Sequence, residues 1–281
     1  MRIFSANLLV KYSTIQITKK STKEDETMNA QKIEGSITLV TGANRGIGRA
    51  LTEALLARGA KKVYATARDP QSLGDLHDKR LVVLPLDVTD ADQIRAAVEA
   101  APDIEIVISN AGVSLGTAIT DIATVDHARR EMEVNYFGPL KLLQSLAPTL
   151  ARNGGGAFVT VGSVAGLTNA AFFPTYSASK AALHSLTQAA RVLLGAQGTS
   201  VFGVYPGPVD TDMSRALTFP KTSARDVAKA VLDGIEAGQE DIFPDPFALD
   251  FSGQFEASPK ASERQFAAMV TAMLSGSAAA A

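Results

Sequence analysis

The stretch ITLVTGANRGIG, residues 37–48, decides the fold predicted for this chain. Its first half is a short apolar run typical of a buried strand, and its second half brings three glycines into a tight turn. Leu51 and Leu55 follow at helical spacing, and Gly59 stands where that helix would be capped. Glycines between a strand and a helix let a pyrophosphate approach the free amides of the helix N-terminus. The stretch therefore predicts a strand, a dinucleotide-binding turn and a helix at the start of an α/β fold.

A second pattern brings a phenol, an amine and a hydroxyl within reach of one another. Lys180 follows Tyr176 by four residues, and Ser163 lies thirteen residues before Tyr176. Residues four apart share one face of a helix, so the ammonium group would lower the tyrosine pKa from about 10 towards neutrality. The alternative is an exposed helical tyrosine beside a solvated lysine. We interpret the three residues as a proton-transfer site for redox chemistry on a carbon–oxygen bond.

Together, these patterns resemble the classical short-chain dehydrogenases/reductases over about residues 35–245. The glycine turn is similar to the family's cofactor motif, and residues 109–112 (Ser-Asn-Ala-Gly) resemble its Asn-Asn-Ala-Gly element. Asn135, Ser163, Tyr176 and Lys180 match its catalytic tetrad in order. Residues 206–211 resemble the segment that packs on the nicotinamide. The resemblance implies a hydride transfer between a nicotinamide cofactor and a small-molecule carbonyl or alcohol substrate.

The resemblance also implies a role for each site residue. Tyr176 would exchange a proton with the substrate oxygen, Ser163 would hold that oxygen, and Lys180 would lower the phenol pKa and hold the nicotinamide ribose. Asn135 would bind a relay water behind Lys180, the alternative being an asparagine that bonds helix backbone. The predicted cofactor-binding residues are Gly42, Asn44, Arg45, Gly46, Ile47, Gly48, Arg68, Asp87, Val88, Asn110, Ala111, Gly112, Tyr176, Lys180, Pro206, Gly207, Val209 and Thr211, and the predicted substrate-binding residues are Ser163 and Tyr176. Candidates for the pocket wall are Ser114, Leu115, Val164, Phe172, Phe173, Met213 and Leu217.

The end of the second predicted strand bears on the choice of cofactor. Ala67 stands where an NAD-binding protein would carry a carboxylate, and Arg68 follows it. Arg45 lies inside the glycine turn, and in the resembled family basic residues at both places usually accompany a 2′-phosphate. Guanidinium groups suit phosphate because their planar forks bind oxygens in pairs. We predict NADP(H), with NAD(H) not excluded because Asp69 lies close by.

The rest of the chain alternates between apolar runs and helical periodicity. Strands are predicted near residues 36–41, 61–66, 81–86, 104–109, 157–162, 199–205 and 240–243, and helices near 46–58, 90–100, 124–150, 176–196, 223–238 and 259–273. This order predicts an α/β, Rossmann-like, doubly wound fold, a seven-stranded parallel sheet with helices on both faces of a single domain. Ligands bind outside the carboxyl ends of such strands, and Gly42, Asn110, Ser163 and Pro206 each follow one.

We divide the chain into three parts. Residues 1–33 are predicted to be a disordered N-terminal extension, with Met28 as an alternative start, because they lack periodicity and are rich in Ser, Thr and Lys. Residues 34–245 would form the dinucleotide-binding and catalytic domain. Residues 246–281 would form a C-terminal segment with one helix and a frayed Ala/Ser tail.

Composition narrows the possible functions. The 281 residues carry 27 basic and 29 acidic side chains, which are interspersed, so no nucleic-acid partner is predicted. There is no cysteine and the three histidines are isolated, so no metal site is predicted. The uncharged residues 153–179 contain glycines, a proline and many polar residues, which predicts no membrane span. The resemblance implies a cytoplasmic homodimer or homotetramer.

Two other functions are compatible with a dinucleotide-binding fold. An epimerase or dehydratase of the same superfamily would usually have Gly-x-x-Gly-x-x-Gly spacing, which differs from the spacing here. A non-catalytic NADP(H)-binding regulatory protein would often have lost the tyrosine or the lysine, and here both are present. An oxidoreductase is therefore the favoured interpretation.

Overall fold

The computed structural model describes residues 30–278, apart from positions 117, 217 and 219. Of the predicted N-terminal extension, residues 1–29 lie outside the described residues. Residues 30–33 belong to the folded part, because Ile33 is fully buried in the core and the Gln31 N–H donates to the Ile235 carbonyl at 3.1 Å. The folded part therefore begins earlier than the predicted boundary after residue 33.

Seven strands form one parallel sheet in the order β3-β2-β1-β4-β5-β6-β9. They are β1 (Ile37–Thr41), β2 (Lys62–Ala67), β3 (Leu81–Pro85), β4 (Ile106–Ser109), β5 (Ala157–Val161), β6 (Ser200–Val204) and β9 (Asp241–Ile242). Two further strands, β7 (Val209–Asp210) and β8 (Thr222–Ser223), pair with each other. The strand order reverses between β1 and β4, so a crevice opens there at the carboxyl edge. The predicted seven-stranded, Rossmann-like fold is confirmed.

Helices cover both faces of the sheet. They are α1 (Gly46–Ala57), α2 (Ala91–Ala100), α3 (Thr124–Met132), α4 (Gly138–Arg152), α5 (Pro174–Gly195), α6 (Ala224–Glu236), α7 (Pro246–Ala257) and α8 (Pro259–Ala278). Successive residues of a strand point to opposite faces, so Val40 packs in the core beneath α1 and α6. Its neighbour Leu39 packs in the core beneath α2, α4 and α5. Burial on both faces explains why these strands are continuous apolar runs.

The helix predicted over 124–150 is interrupted. A π-helical turn over Glu133–Phe137 separates α3 from α4, and α4 continues past Pro148 to Arg152. The turn carries Asn135, whose side chain bonds neighbouring elements instead of solvent. Periodicity alone could not reveal one extra residue per turn, because the apolar spacing before and after it is helical.

The C-terminal segment contains two helices, whereas one was predicted. The missed helix α7 begins at Pro246, and its N-cap is Asp245, whose carboxylate accepts from the Ala248 N–H at 2.9 Å. An aspartate followed by proline is a helix start that the sequence did display. Helix α8 then begins at Pro259, as predicted, and extends to Ala278.

Gly48 gives a test of how tightly the first turn is packed. A Cβ at this position would lie 2.2 Å from the Gly42 carbonyl oxygen and 2.4 Å from the Asn110 Nδ2. Gly48→Ala should therefore lower the free energy of unfolding by about 3 kcal/mol, as overpacking against backbone does, measured by urea titration. Gly195→Ala is the matched control, since beyond its chain neighbours and the backbone of its own helix no heavy atom lies within 4 Å of its Cβ position. Equal stability of the two variants would contradict this account.

Candidate active site

The carboxyl ends of the central strands open into a cavity of about 910 Å³. Its walls include nearly all the residues predicted to bind a cofactor: Gly42, Asn44, Arg45, Gly46, Ile47, Arg68, Asp87, Val88, Asn110, Ala111, Gly112, Tyr176, Lys180, Pro206, Gly207, Val209 and Thr211. Gly48 is the exception, because it faces the Gly42 carbonyl and Asn110 and serves packing instead. One crevice thus collects residues that are spread over most of the chain.

The glycine turn leaves a helix N-terminus facing this cavity. Gly46 has a φ of 56°, a conformation that an L-residue adopts only with strain, and a Cβ there would lie 3.2 Å from the Thr211 side chain. The N-cap residue of α1, Arg45, makes no side-chain capping hydrogen bond. The first amides of α1 are therefore not capped by a side chain, and their dipole favours an anion in the cavity.

Polar contacts join the glycine turn to the end of β4. The Thr41 hydroxyl accepts from the N–H groups of Asn110 and Ala111, both at 3.0 Å. The Asn110 Nδ2 donates to the carbonyls of Thr41 at 2.9 Å and Gly42 at 3.2 Å. Asn110 therefore fixes the ends of β1 and β4 in one arrangement, which explains the asparagine at this position.

Three of the four predicted catalytic residues meet at the cavity. Ser163 follows β5, and Tyr176 and Lys180 occupy successive turns of α5. The Ser163 hydroxyl accepts from the Ala165 N–H at 3.1 Å and lies near enough to the Tyr176 phenol to lower the pKa of that phenol. The Lys180 Nζ lies 5.7 Å from the centroid of the Tyr176 ring and donates to the Val161 carbonyl at 2.8 Å. A hydroxyl, a phenol and an amine therefore face the same space.

Burial controls the protonation of this group. It raises the pKa of Tyr176 to about 12, the nearby Ser163 hydroxyl opposes the rise, and the negative charge of Glu131 adds to it. Burial also lowers the pKa of Lys180 to about 8. The phenol pKa is therefore raised instead of being brought towards neutrality as expected from Lys180, because burial is the largest cause and the Lys180 ammonium is directed at the Val161 carbonyl.

Asn135 lies behind this group and not in the cavity wall. Its side chain is fully buried, exchanges hydrogen bonds with the backbone N–H and carbonyl of Val113 at 2.9 and 2.8 Å, and donates to the Ser179 hydroxyl at 2.9 Å. A Cβ at Gly112 would lie 3.2 Å from the Asn135 Oδ1 and 3.5 Å from the Lys180 Nζ. The alternative interpretation, an asparagine that bonds backbone, describes these contacts.

Three arginines, Arg45, Arg68 and Arg130, line the cavity. The Arg45 Nη1 lies 3.5 Å from the Asp212 carboxylate. Burial would raise the pKa of Asp87, but hydrogen bonds from Thr89 and the charges of Arg130 and Arg68 lower it. The Asp69 carboxylate accepts from the Gln71 N–H at 3.0 Å and so caps the turn that follows β2.

The substrate end differs from the sequence-based expectation in its C-terminal part. Ser114, Val164, Phe172, Phe173 and Met213 line the cavity as predicted, Leu115 does not, and Leu217 lies outside the described residues. Sequence reasoning missed Arg130 on α3, Phe247 on α7, and Phe266 and Met269 on α8. The proline-marked start of α7 could have indicated a further helix, but nothing in the sequence shows where that helix packs.

Glu131 is another residue that sequence reasoning missed. Its side chain is fully buried, and its Oε1 accepts from the Leu115 N–H at 2.7 Å. This contact ties α3 to the loop after β4, whose Ser114 lines the cavity.

The part of the chain that the structure describes offers neither a candidate membrane span nor a candidate metal cluster. None of its helices is both long and apolar enough to cross a membrane. No group of three or more His, Cys, Asp or Glu side chains within it is placed to hold a metal ion.

Comparison with known proteins defines the class of this chain. A family model described as short chain dehydrogenase matches residues 36–221. The crystal structure of a short chain dehydrogenase from Burkholderia cenocepacia in complex with NADP is 37% identical, with a TM-score of 0.80 and coverage of 84% of this chain and 98% of that chain. An uncharacterized oxidoreductase of Staphylococcus epidermidis is 32% identical over 211 residues, or 72% of this chain and 91% of the relative. A short chain dehydrogenase/reductase from Burkholderia phymatum in complex with NAD, 24% identical with a TM-score of 0.70, shares the fold over 78% of this chain and 92% of its own. The chain belongs to the short-chain dehydrogenase family of oxidoreductases.

Proposed function

We propose that this protein is an NADP(H)-dependent oxidoreductase that interconverts a carbonyl compound and the corresponding secondary alcohol, with Tyr176 as the acid and base. The observation that carries the proposal is the position of the Ser163–Tyr176–Lys180 group in the same cavity as the uncapped N-terminus of α1. An anion site and a proton donor in one crevice suit a dinucleotide beside a reducible carbonyl.

The residues present fit a nicotinamide dinucleotide. The N-terminus of α1, with Gly46 kept free of a side chain, would hold the pyrophosphate, and Asp87 and Val88 would contact the adenine. Residues Pro206, Gly207, Val209 and Thr211 would hold the nicotinamide. The bound cofactor would supply or accept the hydride.

The chain's own side chains would manage the proton and the oxygen. Tyr176 would donate its phenolic proton to the carbonyl oxygen during reduction, and Ser163 would hold that oxygen by a hydrogen bond. Lys180 would hold the nicotinamide ribose and, while charged, favour the phenolate that forms. Asn135 would position both Lys180 and the loop after β4, because its side chain bonds Ser179, which directly precedes Lys180, and Val113, which lies in that loop.

Two observations favour NADP(H) over NAD(H). Ala67 stands at the end of β2, where a carboxylate would select NAD, and Arg68 after it lines the cavity, while Asp69 is occupied as a helix cap. The Burkholderia cenocepacia relative, 37% identical, was crystallised in complex with NADP. We propose in addition that the protein is a homodimer or homotetramer, since α3, the π turn and α5 carry the exposed apolar residues Val125, Phe137, Val192 and Leu193. The cytoplasmic location stays a prediction.

Tyr176→Phe tests the proton donor. The variant should lose about 100- to 10,000-fold in kcat for NADPH-dependent reduction of ketones and aldehydes, because general acid catalysis contributes that much. NADPH should still bind, as followed by its fluorescence. Tyr136→Phe is the matched control, since Tyr136 does not line the cavity. An active Tyr176→Phe variant would contradict the proposed role of Tyr176. If the wild-type protein binds NADPH but turns over no substrate, a regulatory protein is favoured.

Arg68→Ala tests the cofactor preference. If the guanidinium binds the 2′-phosphate, its loss should weaken NADPH binding about 10- to 100-fold, the worth of a charged hydrogen bond, and leave NADH binding within about twofold. Arg95→Ala, on the exposed face of α2 away from the cavity, should change neither affinity. Equal losses for the two cofactors would show that Arg68 does not read the phosphate.

The raised pKa of Tyr176 predicts different pH profiles for the two directions. With a pKa of about 12 the phenol is protonated at neutral pH, so kcat/KM for reduction should be nearly constant from about pH 6 to 8. Oxidation needs the phenolate, whose fraction rises about tenfold per pH unit below that pKa, so kcat/KM for oxidation should rise steeply over the same range. Lys180, with a pKa of about 8, keeps its charge through most of this range. A flat oxidation profile would mean that the phenolate is already formed.

A further inference from the structure

One half of the substrate end is an aromatic wall built at the start of α5. Phe173 immediately precedes this helix, and its ring meets the Tyr176 ring edge-on with centroids 6.5 Å apart. Phe172 lies beside it, at 6.5 Å between ring centroids. Both phenylalanines line the cavity. A group held against the Tyr176 hydroxyl would therefore have an aromatic surface as its neighbour.

The other half comes from the C-terminal helices. Phe247 packs directly against Gly207, where a Cβ would lie 2.7 Å from the Phe247 Cδ1. Phe266 of α8 meets the Phe247 ring edge-on at 6.2 Å, and both rings line the cavity. Gly207 belongs to the segment that we propose to hold the nicotinamide. The two aromatic walls thus border the reacting groups from elements that are distant in sequence.

A buried carboxylate fixes the second wall. Asp245, which is 2% exposed, accepts from the Gly207 N–H at 2.8 Å and from the Ala248 N–H at 2.9 Å. Its two oxygens therefore join the loop of Gly207 to the first turn of α7, on which Phe247 stands. The Phe247 ring is held against Gly207 before any ligand arrives, yet it remains 38% exposed. An exposed, preorganised ring beside a cavity favours a ligand that covers it.

The charged residues that line the cavity belong to elements other than the two aromatic walls, or are already paired. Among the described residues that line it, Arg45, Arg68, Asp69, Asp87 and Arg130 belong to the glycine turn, the ends of β2 and β3, and α3. Lys180 is directed at the Val161 carbonyl, and the Asp212 carboxylate is paired with Arg45 and Arg215. Val164 and Met269 belong to the same apolar cluster as Phe266 and also line the cavity. A charged substituent would lose water there without an unpaired partner among these residues.

We propose that the substrate is an uncharged ketone or aldehyde, or the matching alcohol, with an aromatic or similarly bulky apolar group that lies between Phe173 and Phe247. This inference rests on the proposed function. In the reduction, the carbonyl carbon gains the hydride and the oxygen gains the Tyr176 proton, so the products are the alcohol and the oxidised cofactor. The phenolate then recovers a proton from water.

Three ketones with one shared frame test the inference. Benzylacetone, levulinate and butanone carry a phenyl group, a carboxylate and a hydrogen, respectively, at the same carbon. With NADPH and the full-length protein, kcat/KM for benzylacetone should exceed kcat/KM for butanone about 10- to 100-fold, as expected for burial of one ring. The kcat/KM for levulinate should not exceed that for butanone. Preference for levulinate, or no preference for benzylacetone, overturns the inference and leaves the proposed function intact.

Variants then locate the preference. Phe247→Ala and Phe173→Ala should each lower the ratio of kcat/KM for benzylacetone to kcat/KM for butanone about tenfold, because only benzylacetone carries a ring that these side chains can cover. Phe255→Ala is the matched control, because Phe255 lies on the same helix, stacks on Phe251 at 5.7 Å and does not line the cavity. If Phe247→Ala fails to fold, Phe247→Leu keeps an apolar side chain and should show a smaller loss. Unchanged discrimination in the folded variants at both positions overturns the inference.

A binding measurement separates this inference from the proposed function. Saturation-transfer NMR of benzylacetone with the protein detects contact without turnover. Binding that weakens in Phe247→Ala, with no turnover of any ketone, would support the aromatic site and overturn the proposed reaction. If benzylacetone does not bind and no ketone is turned over, both the proposed function and the aromatic site are overturned.

Discussion

The close approach of β1, α1 and β4 is the constraint on which the rest of the structure depends. The Gly42 carbonyl lies where any side chain at residue 48 would have to begin, and Asn110 bonds the carbonyls of both Thr41 and Gly42. These contacts set the two strands side by side at the point where the strand order reverses. The crevice that results faces the first turn of α1, so its amides and the ends of the central strands share one cavity. The cavity therefore depends on the close backbone contact between Gly42 and Gly48.

Burial in that cavity dominates the electrostatics of the candidate active site. Tyr176 and Lys180 are both pushed towards their neutral forms, the first by a raised pKa and the second by a lowered one. A charge four residues away on a helix does not by itself produce a phenolate, since the Lys180 ammonium is directed at the Val161 carbonyl. The protonated phenol suits proton donation to a carbonyl oxygen, which matches the reduction direction of the proposed reaction.

Much of the fold could be predicted because its physical origin is local. Apolar runs such as β1 and β6 identify strands that are buried on both faces, and the glycine turn identifies where the sheet meets a ligand. Three features of the structure could not be predicted in this way. The π turn around Asn135 leaves the apolar spacing unchanged, helix α7 has weak periodicity despite its Asp245–Pro246 start, and the pKa of Tyr176 depends on how much water the fold removes.

The sequence by itself determined the order along the chain of the seven strands in the main sheet, the glycine turn and the spacing of Ser163, Tyr176 and Lys180, because each of these depends on neighbours along the chain. Only the tertiary structure decided which side chains face the cavity and with what charge. In the structure, Gly48 and Asn135 lie outside the cavity wall, whereas Arg130, Phe247 and Phe266 line it. Such contacts depend on packing between distant segments, as when Asp245 binds the Gly207 amide, and no local pattern records which segments meet.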